Sequence, residues 1–355
     1  MLATTLEALG WSAHFEAAFA AYGGDGLIPG RVAVQHRGAY LVWTEAGELA
    51  GELSGRLRLE AENGGAVPVS GDWVVLRPYP EGGRATIHAV LPRRTAFSRK
   101  EPFKVVREQV LAANVDTVFV VTGLDRDLNL RRLERYLATA WESGADPVVV
   151  LSKADLRDDV EQAVAEVELV AIGVPVHAVS CVTGAGVDKL RAYLEGDRTA
   201  ALLGSSGVGK STLVNQLLGE EALATGDLRR DGRGRHTTTT RELVALPGGG
   251  LVLDTPGMRE LQLWDAEEGL GTTFGDVEAL FGHCRFSDCS HQREPGCAVK
   301  RALADGSLDP DRYRSYQKLQ RELRALELKQ DRRARSEAGK AIRRRARARR
   351  HPKRW

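Results

Sequence analysis

The alternation of hydrophobic and polar residues changes character along the 355-residue chain. Residues 1–26 read as a short helical extension ending in the loop "YGGDG". From Arg31 to about Leu91 the pattern becomes short alternating strands: "RVAVQH", "AYLVWT", "LAGELSGRLRL", "GDWVVLRP" and "ATIHAVL". Gly, Pro and Asn punctuate them at the spacing of a small barrel, so 27–95 is expected to form a five-stranded, OB-like fold. The basic "LPRRTAFSRKEPFK" places a linker over 96–113. From Asn114 onward apolar β-branched runs alternate with helical patterns: "VDTVFVV", "LNLRRLERYLATAWESG", "PVVVLSKAD", "RDDVEQAVAEVELVAIG", "VPVHAVS", "GVDKLRAYLEG" and "RTAALLGSSGVGKSTLVNQLLG". That alternation predicts a parallel sheet with helices on both faces over 114–262. A cysteine-bearing, helical region follows over 263–328, and an Arg-rich tail over 329–355. The predicted class is multidomain α/β.

Composition sharpens this picture in two places. The chain is 43% hydrophobic and 28% charged, with no apolar run long enough to cross a membrane, and the N-terminus lacks a basic leader and cleavable apolar segment. Those features point to the cytoplasm. The net charge of +2 conceals a segregation: Lys329–Trp355 holds 13 Lys/Arg and 2 Asp/Glu, a net of +11, which leaves −9 on the rest. A tail such as "AIRRRARARRHPKRW" suits a polyanionic partner, nucleic acid above all.

The chemistry sits in loops. Gly204–Ser211 fits G-x-x-x-x-G-K-[ST] between a strand and a helix, the context the pattern requires. In such a loop the backbone N–H groups of Gly204, Ser205, Ser206, Gly207, Val208 and Gly209 turn toward a β-phosphate. Lys210 adds a point charge, Ser211 a hydroxyl for Mg²⁺, and Thr212 opens the helix whose N-terminus favours anions. The "DTPG" run after strand "GLVLD" offers Asp254 to Mg²⁺ and the Gly257 N–H to a γ-phosphate. Between them, "GRGRHTTTTRE" has the polarity of a switch that orders around γ-phosphate and Mg²⁺, with Thr238 or Thr239 as a ligand. Upstream, Ser152-Lys153-Ala154-Asp155 has the form of a guanine-reading loop, and "VSCVTGAG" supplies Ser180 and Cys181 beside the base. The base loop thus precedes the phosphate loop, which is the motif order of a circularly permuted GTPase. Loops at the carboxyl ends of parallel strands serve the ligand equally whichever strand comes first.

This combination resembles the ribosome small-subunit-dependent GTPase A family (RsgA, or YjeQ). The resemblance runs from about Leu27 to the C-terminus, through the barrel, "EQVLAANVDTVFVVTGLD", the permuted motifs, "GRGRHTTT" and "CRFSDCSHQREPGC". It implies GTP hydrolysis stimulated by the small ribosomal subunit, rRNA binding and a role in late subunit maturation. One departure stands out. The family's base loop is normally N-K-x-D, and Ser152 replaces the Asn. Asp155 still accepts from the guanine N1–H and exocyclic amine, so guanine selection is expected to survive, with weaker binding.

Cys284, Cys289, His291 and Cys297 form C-x4-C-x-H-x5-C, a donor set for one closed, structural Zn²⁺. Lone Cys181 has no activating partner in the sequence. The residue after the Gly257 of DTPG is Met258, which cannot orient water as Gln does, so the intrinsic rate is expected to be low and His236 is the candidate catalytic residue. A monomer is expected. The alternative reading is an RNA-binding assembly scaffold with a weak or vestigial nucleotide site; intact Lys210, Ser211 and Asp254 weigh against it.

Overall fold

The computed structural model describes residues 5–24, 26–36, 38–62, 65–100, 108–125, 127–219, 241–254 and 267–328. Helix α1 (Ala13–Ala20) precedes a barrel of β1 (Ile28–Gln35), β2 (Tyr40–Thr44), β3 (Gly47–Leu53), β4 (Trp73–Pro78) and β5 (Arg84–Val90). The strands pair in the order β1-β2-β3-β5-β4 and close through β1–β4, with β3 and β5 parallel. This is the OB arrangement, and inward residues such as Val32, Val42, Val74, Leu76 and Ile87 fill it. The stretch "SGRLRL", expected as strand, is instead the start of helix α2 (Gly55–Glu62), which buries Leu57. Its Leu57 and Leu59 look alternating, but Ser54 Oγ accepts from the Leu57 N–H at 3.2 Å and starts a helix.

The span 96–113 is more than a linker. It carries β6 (Ala96–Lys100) and β7 (Glu108–Ala113), an antiparallel ribbon in which Phe97, Leu111 and Ala112 are buried. The adjacent basic residues Arg99 and Lys100 disguised the strand pattern of β6.

Strands β8 (Thr117–Gly123), β9 (Asp146–Ser152), β10 (Val176–Ala178), β11 (Thr199–Leu203), β12 (Arg241–Ala245) and β13 (Leu251–Asp254) build the second sheet. Its order is β10-β9-β8-β11-β13-β12, parallel except for β12. Period-two alternation sends side chains to two cores. Val118, Val120, Val149, Leu151, Ala201 and Leu203 meet α3 (Leu130–Glu142) and α4 (Val160–Glu168) on one face. Phe119, Val121, Val148, Val150, Ala200 and Leu202 meet α5 (Val187–Arg191) and α6 (Lys210–Leu218) on the other. Asn129 caps α3, its side chain accepting from the Arg132 N–H at 3.0 Å.

Two buried arginines tie these units together. The Arg31 guanidinium donates to the carbonyls of Leu9 in the N-terminal extension, Gly71 in its own barrel (3.4 Å) and Asn114 just before β8 (2.9 Å). Burial pushes its pKa down to about 10, countered by Asp116 and Asp72, so it stays cationic at neutral pH. Gly71 is required here: its φ is +92°, and a Cβ would lie 2.1 Å from the Ala113 carbonyl oxygen. A further link is direct, because β1 also pairs with β12 at Val34–Glu242 and Gln35–Arg241.

On the other side, α7 (Glu267–Thr273), α8 (Gly275–Glu278), α9 (Ala298–Asp305) and a helix over 310–328 enclose a separate core with Phe274, Val299, Tyr316, Leu319 and Leu323. Arg312 joins it to the sheet domain, bonding Glu134 of α3 (3.1 Å) and Asp276 (2.6 and 2.7 Å). Gly269 lets α7 meet α3, since a Cβ there would sit 2.0 Å from the Ala138 oxygen. Among the described residues, no helix is long and apolar enough to cross a membrane.

Candidate functional site

The base and phosphate loops singled out by sequence leave the carboxyl ends of parallel strands of one sheet. The loop after β11 begins at Gly204, where a Cβ would lie 2.2 Å from the Val121 oxygen, so only glycine lets the chain turn against β8. Gly207 (φ +78°) and Gly209 (φ +93°) adopt the left-handed conformation that aims successive backbone amides inward. Gly209 leads into α6, whose first residues are Lys210, Ser211 and Thr212. Lys210 Nζ curls over the loop, donating to the oxygens of Gly204 (2.7 Å) and Ser205 (2.5 Å). The arrangement is a cradle of N–H groups with a cation at its mouth.

The loop after β9 lies two strands away in the sheet order, past β8. Lys153 adopts φ +59°, and its Nζ forms a 2.6 Å ion pair with Asp125 at the end of β8. Asp125 is held below the usual carboxylate range chiefly by that contact. Asp155 Oδ1 accepts from Ser180 Oγ at 2.5 Å, and the Ala154 N–H bonds the Val179 carbonyl at 3.1 Å. The base loop and the "VSCVTGAG" loop are therefore one unit. A carboxylate has two oxygens, so Asp155 keeps acceptor capacity for a base bearing adjacent N–H groups. Burial, with Asp155 nearby, pushes the Cys181 thiol up, which disfavours its thiolate. Ser152 points elsewhere: it is 2% exposed, and its hydroxyl donates to the Val208 oxygen at 2.6 Å.

Asp254 ends β13, opposite Glu242 of β12. Gly257, Met258, His236, Thr238 and Thr239 lie outside the described residues, as does the tail over 329–355.

Cys284, Cys289, His291 and Cys297 converge, with their candidate ligand atoms all within 4.8 Å of one another. His291 Nδ1 lies 3.5 Å from Cys284 Sγ and 3.6 Å from Cys297 Sγ. Its ring stacks on Phe281 with centroids 4.3 Å apart, and its φ of +60° turns the loop inward. The Glu294 carboxylate accepts from Ser290 Oγ and from the N–H groups of Ser290, Gln292 and Arg293, which holds its pKa at about 2. The loop can hold one metal ion. Beside it lies a cavity of about 700 Å³, bounded by Ser287, Cys289, Ser290, His291 and Gln292 on one side and Tyr313, Tyr316, Gln317, Gln320, Arg321 and Arg324 on the other.

Sequence reasoning missed Asp125, the partner of Lys153. The signal was present, because Asp125 closely follows an apolar strand on the edge that carries the base and phosphate loops.

The RsgA GTPase family model matches residues 90–264. A protein of Opitutus terrae named small ribosomal subunit biogenesis GTPase RsgA is 53% identical over 328 residues, 90% of this chain and 89% of that one. Its namesake from Streptomyces coelicolor is 46% identical over 346 residues, 96% of this chain and 93% of the relative. The chain belongs to the RsgA GTPase family. The crystal structure of YjeQ from Thermotoga maritima agrees with a TM-score of 0.64 at 30% identity, covering 84% of this chain and 98% of that one. YloQ, described as a circularly permuted GTPase, matches with a TM-score of 0.60 at 25% identity, over 86% of this chain and 97% of its own. This RsgA-family chain is accordingly a GTP hydrolase of permuted topology, as its motif order predicted.

The clustered thiols and imidazole generate a prediction. The purified chain should carry about one metal equivalent, and Cys297→Ala should carry far less, by elemental analysis. Full metal content in the variant would show that the four residues do not act as one ligand set.

Proposed function

We propose that this GTPase acts in late maturation of the small (30S) ribosomal subunit, hydrolysing GTP to GDP and phosphate when that subunit and its rRNA stimulate it. The observation that carries the proposal is the meeting of the Ser152–Asp155, Ser180–Gly186 and Gly204–Ser211 loops on one sheet edge. It stands in a chain 53% identical to a protein named for small-subunit biogenesis.

In this reading Asp155 accepts two guanine N–H groups, and Ser180 fixes its rotamer. Lys153, held by Asp125, lies along the base plane, while Ala154 and Cys181 border it. The amides of residues 204–209 and the Lys210 ammonium cradle the β- and γ-phosphates. Mg²⁺ bound with GTP neutralises charge on those phosphates; Ser211, Asp254 through water, and Thr238 or Thr239 would hold it. The Gly257 N–H meets the γ-phosphate. Met258 leaves the attacking water without an orienting side chain, so the free protein turns over slowly, and His236 supplies the missing positioning once the subunit engages. Zinc is the ion that three thiolates and one imidazole fit best. Such a site contributes on the order of 10–16 kcal/mol to folding in small zinc modules, ample for the 263–328 unit.

For the rRNA partner, three features support one reading. The barrel has OB topology, the tail carries a net +11, and the helix over 310–328 runs into that tail with Arg321 and Arg324 on the cavity rim. The protein acts as a monomer, in the cytoplasm, where subunits mature.

Exchange of the base-reading acceptor tests the nucleotide assignment. Asp155→Asn should shift preference from GTP toward xanthosine triphosphate, because the base edge and side chain then exchange donor and acceptor; mismatched edges cost up to roughly 10⁴-fold. Equal ranking of GTP, XTP and ATP by both proteins would refute it. For His236, replacement by Ala should leave GTP affinity and the slow free rate nearly unchanged. Subunit-stimulated turnover should fall by about 10²-fold. Full stimulation of the variant would remove His236 from the mechanism.

A further inference from the structure

Between the 3₁₀ turn Phe281–His283 and α9 the metal loop forms no helix or strand, so its backbone amides need other partners. The Arg285 N–H donates to the Gly296 oxygen at 3.1 Å, and the Ala298 N–H meets Cys284 Sγ at 3.4 Å. Three further amides go to one side chain. Glu294 Oε1 accepts from the Ser290 N–H at 3.0 Å and from the Ser290 hydroxyl. Its Oε2 accepts from the N–H groups of Gln292 and Arg293, each at 3.0 Å. One carboxylate thus holds the amides immediately before and after His291. That residue has a φ of +60°, the left-handed region, which a side chain with a Cβ keeps only where its surroundings impose it. In this conformation the imidazole faces Cys284 and Cys297, with Nδ1 3.5 and 3.6 Å from their sulfurs, and stacks on Phe281. Glu294 stands outside the four residues whose donor atoms converge, and both of its oxygens are already engaged.

We propose that Glu294 is a positioning residue of the metal centre, which grips the amides on both sides of His291 and presets the imidazole for the ion without itself touching it. The proposal rests on the reading of Cys284, Cys289, His291 and Cys297 as one zinc site, and adds the group that shapes it. The cysteines depend less on that grip. Cys284 follows directly on the 281–283 turn, Cys297 caps α9, and the Cys289 N–H closes a tight turn onto the Phe286 oxygen at 3.3 Å. His291 lies in mid-loop, seven residues from Cys284 and six from Cys297, with no regular structure to place it. A ligand fixed in advance has less conformational freedom to lose when the ion binds.

Zinc affinity of the full-length chain, measured by competition with a chromophoric chelator, tests this. Glu294→Gln, which can no longer accept on both oxygens, should weaken binding about 10- to 100-fold. Glu294→Asp keeps the charge but not the reach, so it should also bind more weakly than wild type; it serves as the readout where the Gln variant does not fold. The effect should run through His291. In a His291→Ala background, adding Glu294→Gln should change affinity by less than about twofold. It should also leave the absorption bands of bound Co²⁺, which report the donor set, as they are in His291→Ala alone. Wild-type affinity in either Glu294 variant overturns the proposal. A full further loss in the double variant overturns it too, by marking a general effect on loop folding or charge. Altered Co²⁺ bands in the double variant would make Glu294 a ligand instead. Failure of the wild type itself to bind about one zinc would refute the site reading, and the role of Glu294 with it.

Discussion

The parallel registers running β10–β9–β8–β11–β13 decide where the rest of the molecule can go. Parallel strands send all their following loops to one edge, and that edge here receives Ser152–Asp155, the 180–186 loop, Gly204–Ser211 and Asp254. Because the ligand is met by an edge and not by a chain order, the permutation leaves the site's geometry intact. What it changes is connectivity. The strand that precedes the phosphate loop lies mid-chain, and the next described element after β13 is α7, outside the sheet.

The barrel and the Cys/His helical unit both pack against the catalytic sheet, and each joint is hydrogen-bonded. Arg31 closes one joint by spending a buried cation on three backbone carbonyls from three segments. Leaving such a group without partners is expensive, so the segments are held as a set. The barrel strand β1 also pairs with β12, which begins directly after the threonine-bearing stretch and neighbours β13 with its Asp254. Arg312 with Glu134 and Asp276 closes the other joint. Contacts made by barrel or metal module therefore reach the nucleotide edge through packed, hydrogen-bonded structure and not through a free linker.

The alternation of β-branched runs with amphipathic segments made the sheet legible in the sequence, and glycine spacing did the same for the phosphate loop. The Cys/His spacing announced a cluster whose ligand atoms do lie together. Local ambiguity hid the rest. "SGRLRL" fits either period, and only the Ser54 cap and the packing of Leu57 select a helix. Charges in "AFSRK" disguised a strand whose Phe97 is buried. Arg31, Asp125 and Ser152 act through partners distant in sequence, which no local pattern can display. The Ser152 substitution was visible as a departure, but its meaning depended on Val208, 56 residues away.

GTP turnover with and without purified small ribosomal subunits tests the central claim most directly. A slow rate for the free protein that rises at least about tenfold with small subunits, and not with large subunits or free RNA, is the predicted result. A rate indifferent to the small subunit, or GTP left unhydrolysed in its presence, would contradict the account.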